Sequence, residues 1–159
     1  MITDFFTMLA DLKAQALLVT DCVHTEHLGS GETLIHRIHK YYEADYVPGI
    51  AIFIDSSEGE LDDEDSSNVR QIFDLGFTAL VKAELYDYVD IDHAWNNTNK
   101  ALIEYVGILK HLQYDREDEF QINIAKKFAQ VGKIVNADVY GWRVDARITF
   151  NVNSIYCTH

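Results

Sequence analysis

The amino-acid sequence predicts an α+β fold, a single domain with an antiparallel or mixed sheet, and an N-terminal helix and a long central helix packed on one face. Two kinds of hydrophobic spacing predict this fold. Apolar residues recur at three- and four-residue steps in some segments, as in amphipathic helices, and at every second residue in others, as in half-buried strands. Regular crossover helices between successive strands are missing from the pattern, which favours α+β over a doubly wound fold.

The two predicted helices lie at the start and in the middle of the chain. The first runs from Thr3, a possible cap, to Ala16, and its apolar residues share one face. The second begins near Asp92, a good capping residue, in the segment "DIDHAWNNTNKALIEYVGILKHLQ". We therefore expect one short and one long helix to cover the apolar side of the sheet.

Three segments predict strands. "PGIAIFID", introduced by the only proline, Pro48, is a short apolar run rich in β-branched residues. In positions 73–85 every odd residue is apolar, and Leu80 alone interrupts the polar residues between them. In 139–152 the even positions are large or apolar and the odd ones mostly polar. Either a short helix or a strand fits the less regular segment 114–136.

Composition limits the classes of protein. The 159 residues fit one domain, 1–159, and 48% hydrophobic residues are enough for a packed core. With 13 Lys+Arg against 26 Asp+Glu, the net charge of -13 opposes specific binding to nucleic acid or to anionic membranes. No apolar run approaches the roughly 20 residues that span a bilayer, and no basic segment precedes the first apolar run, so we expect neither a membrane span nor a signal peptide.

Two segments carry unusual composition. The stretch 21–45, "DCVHTEHLGSGETLIHRIHKYYEAD", holds a cysteine, four histidines and a glycine-rich turn, and we expect it to project from the core as a hairpin or loop. Its second half, "TLIHRIHKYY", fits a strand or a helical turn equally. The stretch 55–67 is rich in acids and serines and predicts a solvated acidic loop.

The histidine-rich stretch contains the candidate metal ligands. Their spacings would let pairs of them reach one ion, and zinc accepts both thiolate and imidazole. No CxxC or HExxH element fixes such a site, and on a strand His24 and His27 would point to opposite faces. Metal binding is therefore the minority hypothesis, and its candidate ligands are Cys22, His24, His27, His36 and His39.

The sequence favours a protein without catalysis and without a cofactor. It has no GxSxG nucleophile motif, and "HLGSGET" lacks the frame of a phosphate-binding loop. Asp87, Asp90, Asp92 and His93 could serve as acids or bases, but Asp90 and Asp92 are explained more simply as residues that favour a helix N-terminus through capping and the helix dipole.

The order of these elements resembles the neck proteins of tailed bacteriophages, above all the tail-terminator or tail-completion type. The resemblance covers roughly residues 1–152 and rests on an N-terminal helix, the "VPGIAIFID" strand, the "IFDLGFTALVKAEL" strand, the helix after it, and the closing "VYGWRVDARITFNV" strand. It implies a structural virion protein, assembled in the host cytoplasm, whose copies form a ring, commonly a hexamer, between the tail tube and the head-side connector. DNA would pass the acidic lumen without specific binding.

The resemblance implies that subunits meet through unlike patches, and an exposed strand edge can add to a neighbouring sheet. We expect contact or lumen surfaces on the 73–85 strand, the 139–152 strand and the acidic loop. The predicted interface residues are Asp62, Asp63, Asp65, Phe77, Arg143, Asp145 and Arg147. Two other classes fit the sequence, namely a metal-binding module or metal-dependent hydrolase, and a small acidic adaptor or inhibitor of a basic partner.

Overall fold

The computed structural model describes residues 5–20, 22–27, 34–45, 48–64, 69–84, 86–115, 120–132 and 138–152. In chain order the elements are α1 (Phe5–Ala16), β1 (Cys22–His27), α2 (Leu34–Lys40) followed directly by a π-helix (Tyr41–Asp45), β2 (Ala51–Asp62), β3 (Arg70–Lys82), α3 (Tyr88–Asp115), β4 (Phe120–Val131) and β5 (Val139–Asn151). The strands form one five-stranded sheet in the order β1-β2-β3-β5-β4. β1 is parallel to β2, and all other neighbours are antiparallel. The predicted α+β fold with a mixed sheet is confirmed.

The main core lies between the sheet and the two predicted helices, on the face that we call the inner face. It includes Met8 and Leu12 of α1, Tyr105 of α3 and Phe77 of β3, all fully buried. The Tyr105 hydroxyl donates a hydrogen bond to the carbonyl oxygen of Leu12 at 3.0 Å, and its ring meets the Phe77 ring edge to face at 5.1 Å between centroids. Burial raises the pKa of Tyr105 above its ordinary value. This residue therefore ties both helices to the sheet.

A second layer covers one end of the opposite, outer face. Ile38 of α2 and Tyr41 of the π-helix are buried against Phe53 and Leu80, with the Tyr41 and Phe53 rings edge to face at 5.7 Å. Leu80, the apolar residue that interrupts the polar side of β3, lies beneath this layer. The expectation that 21–45 projects as a hairpin or loop is thus wrong, since its first part pairs in the sheet and its second part is helical and packed.

The expected acidic loop is largely strand. β2 continues to Asp62 and pairs with β3 as far as Arg70, with an irregularity between Ser56 and Glu58. Ladder hydrogen bonds join backbone groups, so polar side chains did not prevent this pairing. Asp63 and Glu64 follow the strand, and residues 65–68 lie outside the described residues.

The central helix begins at Tyr88, earlier than the expected start near Asp92. Asp87 caps it, because its carboxylate accepts hydrogen bonds from the backbone N–H groups of Val89 and Asp90, each at 3.1 Å. Just before the cap, Tyr86 has a left-handed backbone with φ of 66°. The reversal between β3 and α3 therefore contains one residue with a strained backbone and ends at a capping carboxylate.

β3 and β5 form the centre of the sheet and lie very close together at one position. A Cβ built on Gly141 would lie 1.7 Å from the carbonyl oxygen of Ala79, which is a backbone atom. Only glycine permits this approach of the two strands. The less regular segment 114–136 contains β4, which pairs with β5 across an irregularity between Ile124 and Phe128.

Candidate interaction surface

The outer face beyond α2 carries a buried ion pair at its centre. Arg143 of β5 donates two hydrogen bonds to the carboxylate of Asp55, at 2.6 and 3.0 Å, and a third to the hydroxyl of Thr78 at 3.2 Å. Asp55 is only 4% exposed and Thr78 only 2%. The hydrogen bond to Asp55 raises the pKa of Arg143, while burial acts in the opposite direction. The pair therefore fastens β2, β3 and β5 together across the outer face.

A glycine makes room for this guanidinium. A Cβ on Gly76 would lie 2.0 Å from Nη2 of Arg143, so the guanidinium rests directly against the backbone of β3. Asp145 also accepts a hydrogen bond from Nε of Arg143 at 3.2 Å, from the exposed side. Because carboxylates and a hydroxyl already occupy most of its donors, Arg143 has little capacity left for a ligand.

Along the same face, charges become progressively more exposed. Arg147 donates to Asp74 at 2.9 Å, and these side chains are 53% and 41% exposed. Beside this pair an open depression of about 510 Å³ lies between β5 and the irregular part of β4. Its polar lining comes from Asp74, Asn123, Arg143, Asp145 and Arg147.

The sheet has two edges, and β4 forms one of them. It is 12 residues long and pairs with β5 alone among the described residues. β1 forms the other edge, but it has only six residues, and these pair with Ala51–Ser56. Unpaired N–H and C=O groups along such edges can pair with another chain.

Six of the seven predicted interface residues are described, and they range from exposed to fully buried. Asp145 and Arg147 are exposed, Asp63 is exposed, and Arg143 is partly buried in its ion pair. Asp62 accepts from Arg70 at 3.1 Å, which closes the end of the β2–β3 ladder. Asp65 lies outside the described residues.

Phe77 does not fit the predicted interface, because it is fully buried beneath α3. The alternation in 73–85 was correct, but the apolar side of that strand faces the protein core. The expectation of an exposed edge on this strand was also wrong, since β3 pairs with β2 on one side and with β5 on the other.

The candidate metal ligands are divided between two elements. His36 and His39 lie on α2, with His36 exposed and His39 partly buried. Cys22, His24 and His27 lie on β1, and the positions of their side chains are outside the described part of the structure. Within the part that is described, no group of three or more His, Cys, Asp or Glu side chains could hold a metal ion.

The carboxylates near the start of α3 have structural partners. Asp87 is the cap, and Asp90 accepts from the backbone N–H of Glu84 at 2.7 Å. Asp92 and His93 are exposed beside a shallow depression that also contains Trp95. Capping by Asp87 and loop closure by Asp90 account for these two acids, whereas the sequence predicted capping by Asp90 and Asp92.

The sequence did not identify Asp55 as the buried partner of Arg143. A signal was present, because Asp55 shares the face of Phe53 two residues earlier, and Arg143 belongs to the alternating R-x-D-x-R pattern of β5. What was missing was the strand order, which brings β2 and β5 to opposite sides of β3.

No protein-family model matches the chain, and no curated protein matches it significantly. In the described part of the chain, no helix is both long and apolar enough to cross a membrane.

Proposed function

We propose that the protein is a structural, ring-forming subunit of the head–tail junction of a tailed bacteriophage, of the tail-terminator or tail-completion type. The observation that carries the proposal is the edge of β4, which pairs with no strand but β5 in the described parts of the chain, on a mixed sheet whose inner face is covered by α1 and α3. A subunit of this kind works by assembly. An open strand edge gives it backbone hydrogen bonds to offer to a neighbouring subunit.

The element order supports the same proposal. A helix and a strand come first, then the antiparallel pair β2–β3, the long helix α3, and the antiparallel pair β4–β5. Within the full order, α1, β2, β3, α3 and β5 follow the sequence of elements on which the resemblance to phage neck proteins rests, and β1, α2 and β4 are additional to it. The expected partners are further copies of the chain, commonly six in a ring, together with the tail-tube and head-side connector proteins.

The charges of the outer face also favour a structural role. Arg143 is held by Asp55, Thr78 and Asp145, and Arg147 is held by Asp74, so these groups stabilise the sheet. The net charge of -13 would repel DNA from the wall of a central channel, which permits passage without adhesion. The proposed location is the virion neck.

Mass photometry and negative-stain microscopy of the purified full chain, alone and with its tail-tube protein, test the proposal. We expect closed rings of uniform size, because contacts between unlike patches close into rings when the rotation between subunits permits. A protein that stays monomeric under both conditions contradicts the proposal. Bound-metal analysis of the untagged protein serves as the companion measurement, and stoichiometric zinc would favour the metal-binding alternative.

A further inference from the structure

A second open edge lies within β2. β1 pairs only with Ala51–Ser56, whereas β2 continues to Asp62. Along Gly59–Asp62, the edge of β2 that points away from β3 therefore has no strand partner among the described residues, while the opposite edge pairs with β3. Glu60 is exposed on this stretch, and Leu61, at 50%, is the one exposed large apolar residue among the described strand residues.

The two open edges carry opposite charges. The stretch 58–64 of β2 and its connection has five carboxylates and no basic residue. Residues 120–132, which include all of β4, contain Lys126 and Lys127 and no acid, in a chain with twice as many acids as bases. Lys127 is exposed. β4 is thus a basic edge on a strongly acidic protein.

We infer that β4 of one copy pairs with the free edge of β2, residues 59–62, in the next copy, so that the sheet continues from subunit to subunit. This inference rests on the ring-forming function proposed above and names the two surfaces that meet. Both surfaces belong to the same sheet, and they lie at its two opposite edges. Each copy would therefore use one edge toward each of its two neighbours.

Charge explains why unlike edges meet. Two β4 edges would bring lysines together, and two β2 edges would bring carboxylates together, and each like-charged pairing is unfavourable. Edge lysines commonly prevent a strand from pairing with its own copies, and here they leave the acidic edge as the complementary surface. The contact is consequently heterologous, which is the type that builds rings.

The apolar residues of the two edges fit the same pairing. Leu61 lies opposite Gln71, whose neighbour on β5 is Phe150, so Leu61 belongs to the inner face. Ile124 and Phe128 of β4 pack against the inner-face core and are only partly buried. An added β4 would therefore cover Leu61 with apolar side chains from the same face of the sheet.

Charge reversal in the full chain tests the inference. Lys127→Glu and Glu60→Lys should each weaken self-association roughly tenfold, since an attraction becomes a repulsion at every contact. The double variant Lys127→Glu/Glu60→Lys should regain most of the wild-type affinity. The measurement is sedimentation velocity over a concentration series, with circular dichroism to establish that each variant is folded.

Matched controls change the same charges elsewhere. Lys110→Glu and Glu104→Lys lie on exposed positions of α3, and they should leave self-association unchanged. A mixture of the Lys127→Glu and Glu60→Lys proteins should regain self-association in assemblies where the two variants alternate. The acid introduced at position 127 of one meets the lysine introduced at position 60 of the other, and the unchanged residues 127 and 60 meet at the next contact.

The outcomes separate the two proposals. If the wild-type chain forms rings and the edge reversals behave like the α3 controls, the β4–β2 contact is refuted while the ring-forming function stands. If the Lys127→Glu/Glu60→Lys variant does not regain self-association, the contact between residues 127 and 60 is refuted as well. A wild-type chain with no self-association, alone or with its tail-tube protein, overturns both proposals.

Discussion

Replacing Arg143 by methionine should destabilise the protein far more than the same replacement at Arg147, four residues along the same strand. Both arginines bind a carboxylate, but the Arg143 and Asp55 side chains are 28% and 5% exposed, against 53% and 41% for Arg147 and Asp74. Methionine keeps much of the aliphatic stem and removes the charge, so the comparison isolates the ion pair.

The expected magnitudes follow from burial. Without Arg143, the Asp55 carboxylate stays buried and loses both hydrogen bonds from the guanidinium, and breaking a buried pair in this way costs about 3–5 kcal/mol. We expect the lower end, about 3 kcal/mol, because Arg143 is partly exposed and water can reach the vacated space. Arg147→Met should cost at most about 1 kcal/mol, as exposed pairs do.

Urea denaturation followed by circular dichroism measures the free energy of unfolding of the wild type and of both variants. A loss of about 3 kcal/mol corresponds to a fall in Tm of roughly 6–12 °C for a chain of this size. Adding Asp55→Asn to the Arg143→Met variant should recover part of the loss, because no buried charge is then left unpaired. Equal losses at the two arginines, or no recovery in the double variant, would refute the argument that burial of Asp55 sets the cost.

Three further predictions concern α3 and the centre of the sheet. Above pH 10, the ordinary pKa of tyrosine, the free energy of unfolding should fall by about 1.4 kcal/mol per pH unit through Tyr105. The reason is that the pKa of Tyr105 is raised in the folded state, which keeps a proton that the unfolded state releases. Tyr105→Phe should remove this slope in urea denaturation at a series of pH values, whereas Tyr114→Phe, at an exposed position, should not. Gly141→Ala should destabilise the protein by about 3 kcal/mol in thermal denaturation, because the new Cβ would meet a backbone atom of β3. Gly107→Ala, in the middle of α3 with nothing within 4 Å of the new Cβ, should stabilise it by about 1 kcal/mol. Equal effects at the two glycines would contradict this prediction. Asp87→Ala should cost about 1 kcal/mol through loss of the α3 cap, and Asp87→Asn should retain most of that stability in the same assay.

Elements with a regular hydrophobic period were predictable from sequence, and those whose environment changes along their length were not. The alternation in 73–85 and 139–152 located β3 and β5, and helical spacing located α1 and α3. The layer formed by α2 and the π-helix was missed, because its apolar residues occur in a short, histidine-rich stretch with two possible periods.

The interaction surface was less predictable, because it depends on strand order. β3 was expected to offer an edge, but it lies in the middle of the sheet, and β4, whose type was ambiguous, forms the edge. The extension of β2 through an acidic segment depends on backbone pairing with β3, to which side-chain patterns contribute little. The open edges therefore became identifiable only once the register of the whole sheet was known.

The ladder between β3 and β5 has a consequence for folding kinetics. β2–β3 and β4–β5 are antiparallel pairs whose strands are near neighbours in the chain, whereas β3 and β5 are joined only after α3 and β4 have intervened. Closing that long loop costs entropy before its contacts are made, so joining the two strand pairs should set the folding rate. Gly141 lies where β5 meets β3, and we expect Gly141→Ala to slow refolding more than it accelerates unfolding.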